Sequence, residues 1–213
     1  MVLLWQANDS YAPPFYKGKA LPVADSEVKV VAMPEIMNSR GSLIDPRNMT
    51  YAWKKDYNNM PDDSGYGKNF FLYTNDYLEN GNNVGVVAET TDQQYSSEGS
   101  IDVGMTTAQI SFYKRDALLG TIWENALADG HQIKDNEIVV ATPYFISPKE
   151  ILNPALTWNW SINDTLIPIT NFIGNTISLK AQAGISGTSK LSLEINNNYK
   201  IFQTASKSIN INF

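Results

Sequence analysis

A single histidine, His131, would have to carry any imidazole chemistry in this chain, whether a Ser-His-Asp triad or a histidine-bearing metal centre. It lies in Asp129-Gly130-His131-Gln132, which reads as a turn, so an exposed loop residue is expected rather than a general base. Asp62, Asp63 and Asp164 sit near turns, and carboxylate oxygens are what a hard calcium ion takes. They are the weak metal candidates, set against the commoner reading of solvated turn carboxylates, and no EF-hand spacing accompanies them. Gly65-Tyr66-Gly67-Lys68 has the residue types of a phosphate loop without the spacing to Gly-Lys-Ser/Thr, and a strand follows it, so it reads as a hairpin connection. The chain has no cysteine, which removes disulfides, thiolate metal sites and cysteine nucleophiles. No catalytic set and no cofactor is expected from these residues.

Aromatic side chains are the other candidates. Trp5, Tyr11, Phe15, Tyr16 and Tyr57 could make a sugar-stacking platform, and Trp5, Tyr16 and Trp123 are the ligand or interface candidates. Core and interdomain packing is the stronger reading, because most of these aromatics sit at repeat-equivalent positions. Asn8, Asn48, Asn159 and Asn163 satisfy the Asn-x-Ser/Thr pattern, as an Asn-rich chain does by chance. Lys17 and Lys114, with asparagines on the final strands, would permit an intramolecular Lys–Asn crosslink, an outcome given little weight.

The elements that must position these residues read as strands. Thr50-Tyr51-Ala52-Trp53 and Thr157-Trp158-Asn159-Trp160 alternate with period two, each followed by turn residues, and make Tyr51, Trp53, Trp158 and Trp160 the expected structural core. Val30-Val31-Ala32-Met33-Pro34 is answered by Val139-Val140-Ala141-Thr142-Pro143. Phe15-Tyr16-Lys17-Gly18-Lys19-Ala20-Leu21 matches Phe112-Tyr113-Lys114-Arg115-Asp116-Ala117-Leu118 at five of seven positions, which suggests that the repeat starts there. An internal duplication follows, with domains at 1–107 and 108–213. The second has an insertion at 119–134, where Leu119, Ile122, Trp123, Ala126 and Leu127 recur at helical spacing, so the only expected helix lies there. Only Thr106-Thr107-Ala108 separates the two, which suggests a rigid joint. About seven short strands per copy, separated by Gly, Pro and Asn turns, describe an all-β chain of two tandem immunoglobulin-like Greek-key β-sandwiches.

A length of 213 residues, 43% of them hydrophobic and 18% charged, suits two small globular cores. The net charge of −6 argues against a nucleic-acid or anionic-membrane partner. No stretch has the length and apolarity of a membrane span, and the first residues lack the pattern of a signal peptide, so Met1 reads as the start of a truncated ectodomain.

Tyr51-Ala52-Trp53 with Asp56, and Trp158-Asn159-Trp160 with Asn163, resemble the central strand of polycystic-kidney-disease-type and other immunoglobulin-like modules, which reads Tyr-x-Trp followed by a turn Asp or Asn. The Gly-Asp-Gly turn of the common module is absent. Pro13 to Leu21 and Leu118-Leu119-Gly120 are similar to segments of uncharacterised tandem Ig-like, membrane-anchored surface proteins of candidate-phylum bacteria. The resemblance implies a non-catalytic extracellular or cell-surface module, a spacer, adhesion or protein–protein interaction unit of an anchored protein. Its partner would be a protein or glycan, with self-association a further option. A carbohydrate-binding module and an enzyme of unknown class are the alternatives.

Overall fold

The computed structural model describes residues 1–134, 136–169, 174–181 and 184–213. The chain divides into two compact units: unit 1 comprises Met1–Asp9 and Lys19–Thr106, unit 2 comprises Ser10–Gly18 and Thr107–Phe213. Unit 1 holds β1 (Val2–Ala7), β2 (Glu27–Met33), β3 (Met49–Lys55), β4 (Asn58–Asn59), β5 (Gly65–Tyr66), β6 (Phe70–Thr74), β7 (Gly81–Thr90) and β8 (Ser96–Gly104). They form one sheet in the order β1-β2-β6 and a second in the order β4-β3-β7-β8, with β5 beside β3. Unit 2 holds β9 (Gln109–Asp116), β10 (Gly120–Ala126), β11 (His131–Gln132), β12 (Asn136–Tyr144), α1 (Pro148–Ile151), β13 (Leu156–Ile162), β14 (Thr165–Leu166), β15 (Thr176–Lys180), β16 (Thr188–Asn197) and β17 (Ala205–Asn212). Its sheets run β10-β9-β12-β15 and β11-β17-β16-β13-β14.

The two orders are the same arrangement, with β9, β12 and β15 standing for β1, β2 and β6, and β13, β16 and β17 for β3, β7 and β8. Consecutive strands change sheet between β2 and β3, between β5 and β6 and again between β6 and β7, the Greek-key crossing of an Ig-like sandwich. Each unit is such a sandwich, and alternate residues of its two sheets form the core. In unit 1 Val28, Val30 and Ala32 face Tyr51, Trp53, Val84 and Val86, all buried. The connection after β3 is a two-residue turn with positive φ at Asp56 (49°) and Tyr57 (67°), and after β13 at Asn163 (49°) and Asp164 (62°). Asp and Asn tolerate this region and fit the right-handed twist of a hairpin.

Two expectations change, and one segment departs from the order of the chain. Residues 119–134 form β10 and β11 rather than a helix. Asp116 closes the preceding turn by accepting the Leu118 N–H at 2.7 Å and the Leu119 N–H at 3.0 Å, and Gly120 takes φ 77°. A lone turn or two of helix is marginal, whereas pairing with β9 satisfies the backbone. The described helix in unit 2 is instead α1, with a proline in its first turn. The heptapeptide match is not a structural repeat: Phe112–Asp116 lies in β9, while residues 15–21 form turns and irregular chain. Finally, Ser10–Gly18 packs on unit 2, where the Tyr11 N–H donates to the Ile146 carbonyl (2.9 Å) and the Phe145 N–H to that of Tyr11 (2.6 Å).

Candidate functional site

Trp53 and Trp160 occupy equivalent places, 1% and 0% exposed. The Trp53 indole N–H donates to the Lys68 carbonyl at 2.9 Å, and that of Trp160 to the Gly174 carbonyl at 2.8 Å. Gly174 has φ 75° and a Cβ there would stand 3.0 Å from Trp158 Cβ, so both the bend and the close approach require glycine. Tyr51 is buried and donates its hydroxyl to the Pro46 carbonyl at 2.7 Å, its pKa pushed up to about 12 by burial and then by the Asp45 charge. Trp158, at the matching position, is only half-buried.

The remaining candidates do not converge. Asp62 and Asp63 belong to a 3-10 turn of unit 1, Asp164 to unit 2, where it meets Lys190 at 3.3 Å. Among the described residues no three His, Asp or Glu side chains come together as a metal site. Gly65 to Lys68 closes a loop by the Lys68 ammonium bonding to the Asp62 carbonyl. Asn8 and Asn159 are exposed; Asn48 accepts from the Tyr66 hydroxyl, and Asn163 accepts from the Lys190 N–H. Phe15 and Tyr57 are exposed at turns. Trp5 is half-buried, with the Lys19 ammonium 3.2 Å over its ring, so that face is already taken.

His131 is a strand residue rather than an exposed loop residue. It pairs beside Ile211 in β11, and its Nε2 lies 2.6 Å from the carboxylate of Glu137 on β12. Glu137 points inward, with 4% of its side chain exposed, and Lys114 completes its surroundings at 3.4 Å. Sequence reasoning missed Glu137. Its alternation with Val139 and Ala141 along β12 was the available signal, since that pattern turns all three to the core.

Two outward sheet faces stand apart. In unit 1 the outer face of β1, β2 and β6 carries Val2 (46% exposed), Leu4 (55%), Met33 (48%), Phe70 (44%) and Leu72 (38%) around the half-buried Val31. Register places them as neighbours: Val2 opposite Met33, Leu4 opposite Val31, Val31 opposite Phe70. The cue in the sequence was Val2-Leu3-Leu4-Trp5, a strand apolar on both faces. In unit 2 the corresponding face is covered over Tyr113 and Tyr144, with Ile138 left 38% exposed. Trp123 of β10 lies over Tyr113 with ring centroids 5.2 Å apart, and Tyr16 meets Tyr144 and Phe145 edge-on at 5.7 and 6.0 Å.

Between these covers remains a cavity of about 510 Å3 lined by Tyr11, Arg115, Trp123, Val140, Thr142 and Pro148, among others. The Tyr113 and Tyr144 hydroxyls are hydrogen-bonded to each other. Burial, and then Tyr113, hold the Tyr11 and Tyr144 phenols above their ordinary range. The arrangement offers stacking surface, hydroxyls and one guanidinium.

No protein-family model matches the chain, and no curated protein matches it in sequence. Among solved structures, three N-terminal domains of the highly immunogenic outer capsid protein of bacteriophage RB49 are similar at 16% identity and a TM-score of 0.42, over 99% of this chain and 59% of that one. The chain thus spans about three fifths of that structure. Fibronectin(III)-like modules of Clostridium thermocellum CbhA match at 10% identity and a TM-score of 0.28, over 98% of this chain and 93% of that one. The full ectodomain (Ig1–Ig3) of mouse nectin-like molecule 4 matches at 13% and 0.30, over 100% and 65%.

Proposed function

We propose that the chain is a non-catalytic protein-interaction module of a cell surface, two Ig-like domains at about 1–107 and 108–213 that display a binding face or space it from an anchor. The observation that carries this reading is the exposed apolar face of unit 1, on which the Lys29 ammonium stands 4.7 Å over the Phe70 ring. Five large apolar side chains, each more than a third exposed, share one side of a three-stranded sheet. Soluble monomers rarely leave such a contiguous patch uncovered, and one that persists is characteristic of a partner surface. The partner in this reading is a protein at the cell surface. A photo-crosslinking amino acid placed at Leu72 is expected to capture a discrete protein partner on source cells. The same group at Lys54, on the outer side of the other sheet, is expected to capture none; equal labelling from both positions would defeat the reading.

The cavity of unit 2 favours a second reading, a carbohydrate-binding module. Trp123 and Tyr11 supply aromatic surface, and Arg115, Thr121 and Thr142 supply polar groups, the combination that stacks and orients a sugar ring. A glycan-array signal lost in Trp123→Ala and kept in Trp5→Ala would establish it, whereas no signal from the parent protein would remove it.

A further inference from the structure

β1 is the edge of its sheet, and its register shows which of its backbone groups face outward. The Asn8 N–H donates to the Glu27 carbonyl at 2.8 Å, so Asn8 and Glu27 form a hydrogen-bonded pair that continues β1 and β2. Hydrogen-bonded pairs alternate along an antiparallel ladder, so Gln6, Leu4 and Val2 bond to β2 while Leu3, Trp5 and Ala7 turn their N–H and C=O groups to the open edge. Among the described residues no backbone partner meets that edge. The strand Val2-Leu3-Leu4-Trp5-Gln6-Ala7 has no charge, proline or bulge, the usual devices by which edges are kept from pairing.

Unit 2 holds the same edge in its completed form. Leu3 lies opposite Ala32 as Phe112 lies opposite Ala141, which makes β9 the counterpart of β1 and Phe112 that of Leu3. The Phe112 carbonyl accepts from the Leu127 N–H at 2.7 Å, and Asp116, in the place of Ala7, pairs with Gly120. Tyr113, in the place of Leu4, is covered by Trp123 and only 5% exposed, against 55% for Leu4. The antiparallel strand β10 thus pairs with that edge at Phe112 and Asp116, its register shifting between Thr121 and Ala126, and carries an aromatic ring onto the outer face.

We infer that β1 is a strand-acceptor edge: a partner protein adds an extended segment antiparallel to it, bonds to Leu3, Trp5 and Ala7, and lays an aromatic side chain over Leu4. This rests on the interaction reading above and names the chemistry of the partner. Main-chain bonds supply affinity in such strand addition, and the side chain directed at the apolar face supplies selection.

The probe is a synthetic peptide with the sequence of Gly120 to Leu127, titrated into the full chain and followed by amide hydrogen exchange read residue by residue. Exchange at the Leu3, Trp5 and Ala7 amides is expected to slow by about tenfold or more at saturation. Leu4→Lys, a change at an exposed side chain, is expected to abolish that protection while leaving exchange in β2 and β6 as it was. No protection at millimolar peptide would overturn the inference, as would protection confined to β9, which would mean exchange with the resident strand. A dilution series without peptide tests whether a second copy of the chain occupies the edge. If the β1 amides are protected only in concentrated protein, the occupant is a second copy, and the inference of a heterologous strand fails. Failure of the peptide with successful crosslinking from Leu72 would remove strand addition alone; failure of both would remove the interaction reading as well.

Discussion

In unit 1 Trp53 stacks on Phe71 from β6, with ring centroids 5.7 Å apart; in unit 2 Trp160 stacks on Phe112 from β9, at 5.3 Å. Register explains the exchange. Leu3 and Phe71 in unit 1 stand where Phe112 and Ile177 stand in unit 2, so each pair of positions holds one aromatic and one aliphatic side chain, and the ring that stacks on the Trp comes from opposite strands. The lesson is that the fold preserves the volume around the Trp and leaves open which strand supplies the ring. A second difference lies at the inward position of β2 and β12 held by Val28 and Glu137, where unit 2 places a carboxylate and spends His131 and Lys114 on it. A third is the cover: unit 2 has β10 and Ser10–Gly18 over its outer face, and unit 1 has neither.

The largest expected effects test whether the two Trp sites are equivalent. Trp53→Ala and Trp160→Ala should each cost about 3 to 5 kcal/mol, read as a loss of stability of the unit that carries the change in denaturant melts. A loss below about 1 kcal/mol at either site would break the equivalence. Next comes the buried carboxylate. His131→Ala should cost about 1 to 3 kcal/mol by leaving Glu137 short of a partner, while Glu137→Val, which installs the residue type of unit 1, should be close to neutral.

Smaller in size is the ring exchange. Phe112→Leu should destabilise unit 2 by about 1 to 2 kcal/mol, and adding Ile177→Phe should recover part of it, because the double variant recreates the Leu3–Phe71 arrangement. A double-mutant cycle with no coupling would show that the two positions are independent.

The smallest effect is electrostatic. Asp56 and Asn163 hold equivalent turns, each accepting a backbone N–H, from Asn83 at 2.8 Å and Lys190 at 2.9 Å. Burial pushes the Asp56 pKa up, but hydrogen bonds from the Asn83 N–H, Asn82 and Lys55 outweigh it, and the net pKa is below the ordinary value. A depressed folded pKa contributes stability above the unfolded pKa and loses it as the carboxylate protonates, so unit 1 should weaken as pH falls below about 4. The side chain is about a third exposed, so solvent screening keeps the loss under about 1 kcal/mol. Asp56→Asn should flatten this dependence, making the turn of unit 1 respond like that of unit 2.

The sequence by itself determined the all-β class, most of the strands and the inward places of Tyr51, Trp53 and Trp160, because period-two alternation and turn residues are local signals: Tyr51-Ala52-Trp53 and Asn163-Asp164 carry their own geometry. It misplaced the helix because Leu119 to Leu127 has a helical stripe that says nothing of β9 waiting beside it, and a strand partner outweighs the propensity of so short a segment. The same limit hid the candidate site. Leu4 and Tyr113 are both apolar strand residues facing outward, yet one is bare and the other covered. What covers a face comes from outside the strand itself, Trp123 from the adjoining strand β10 and Tyr16 from a segment remote in sequence, and only the folded arrangement brings them there. Burial is a property of the whole arrangement of chain around a residue, whereas alternation is a property of its neighbours in sequence.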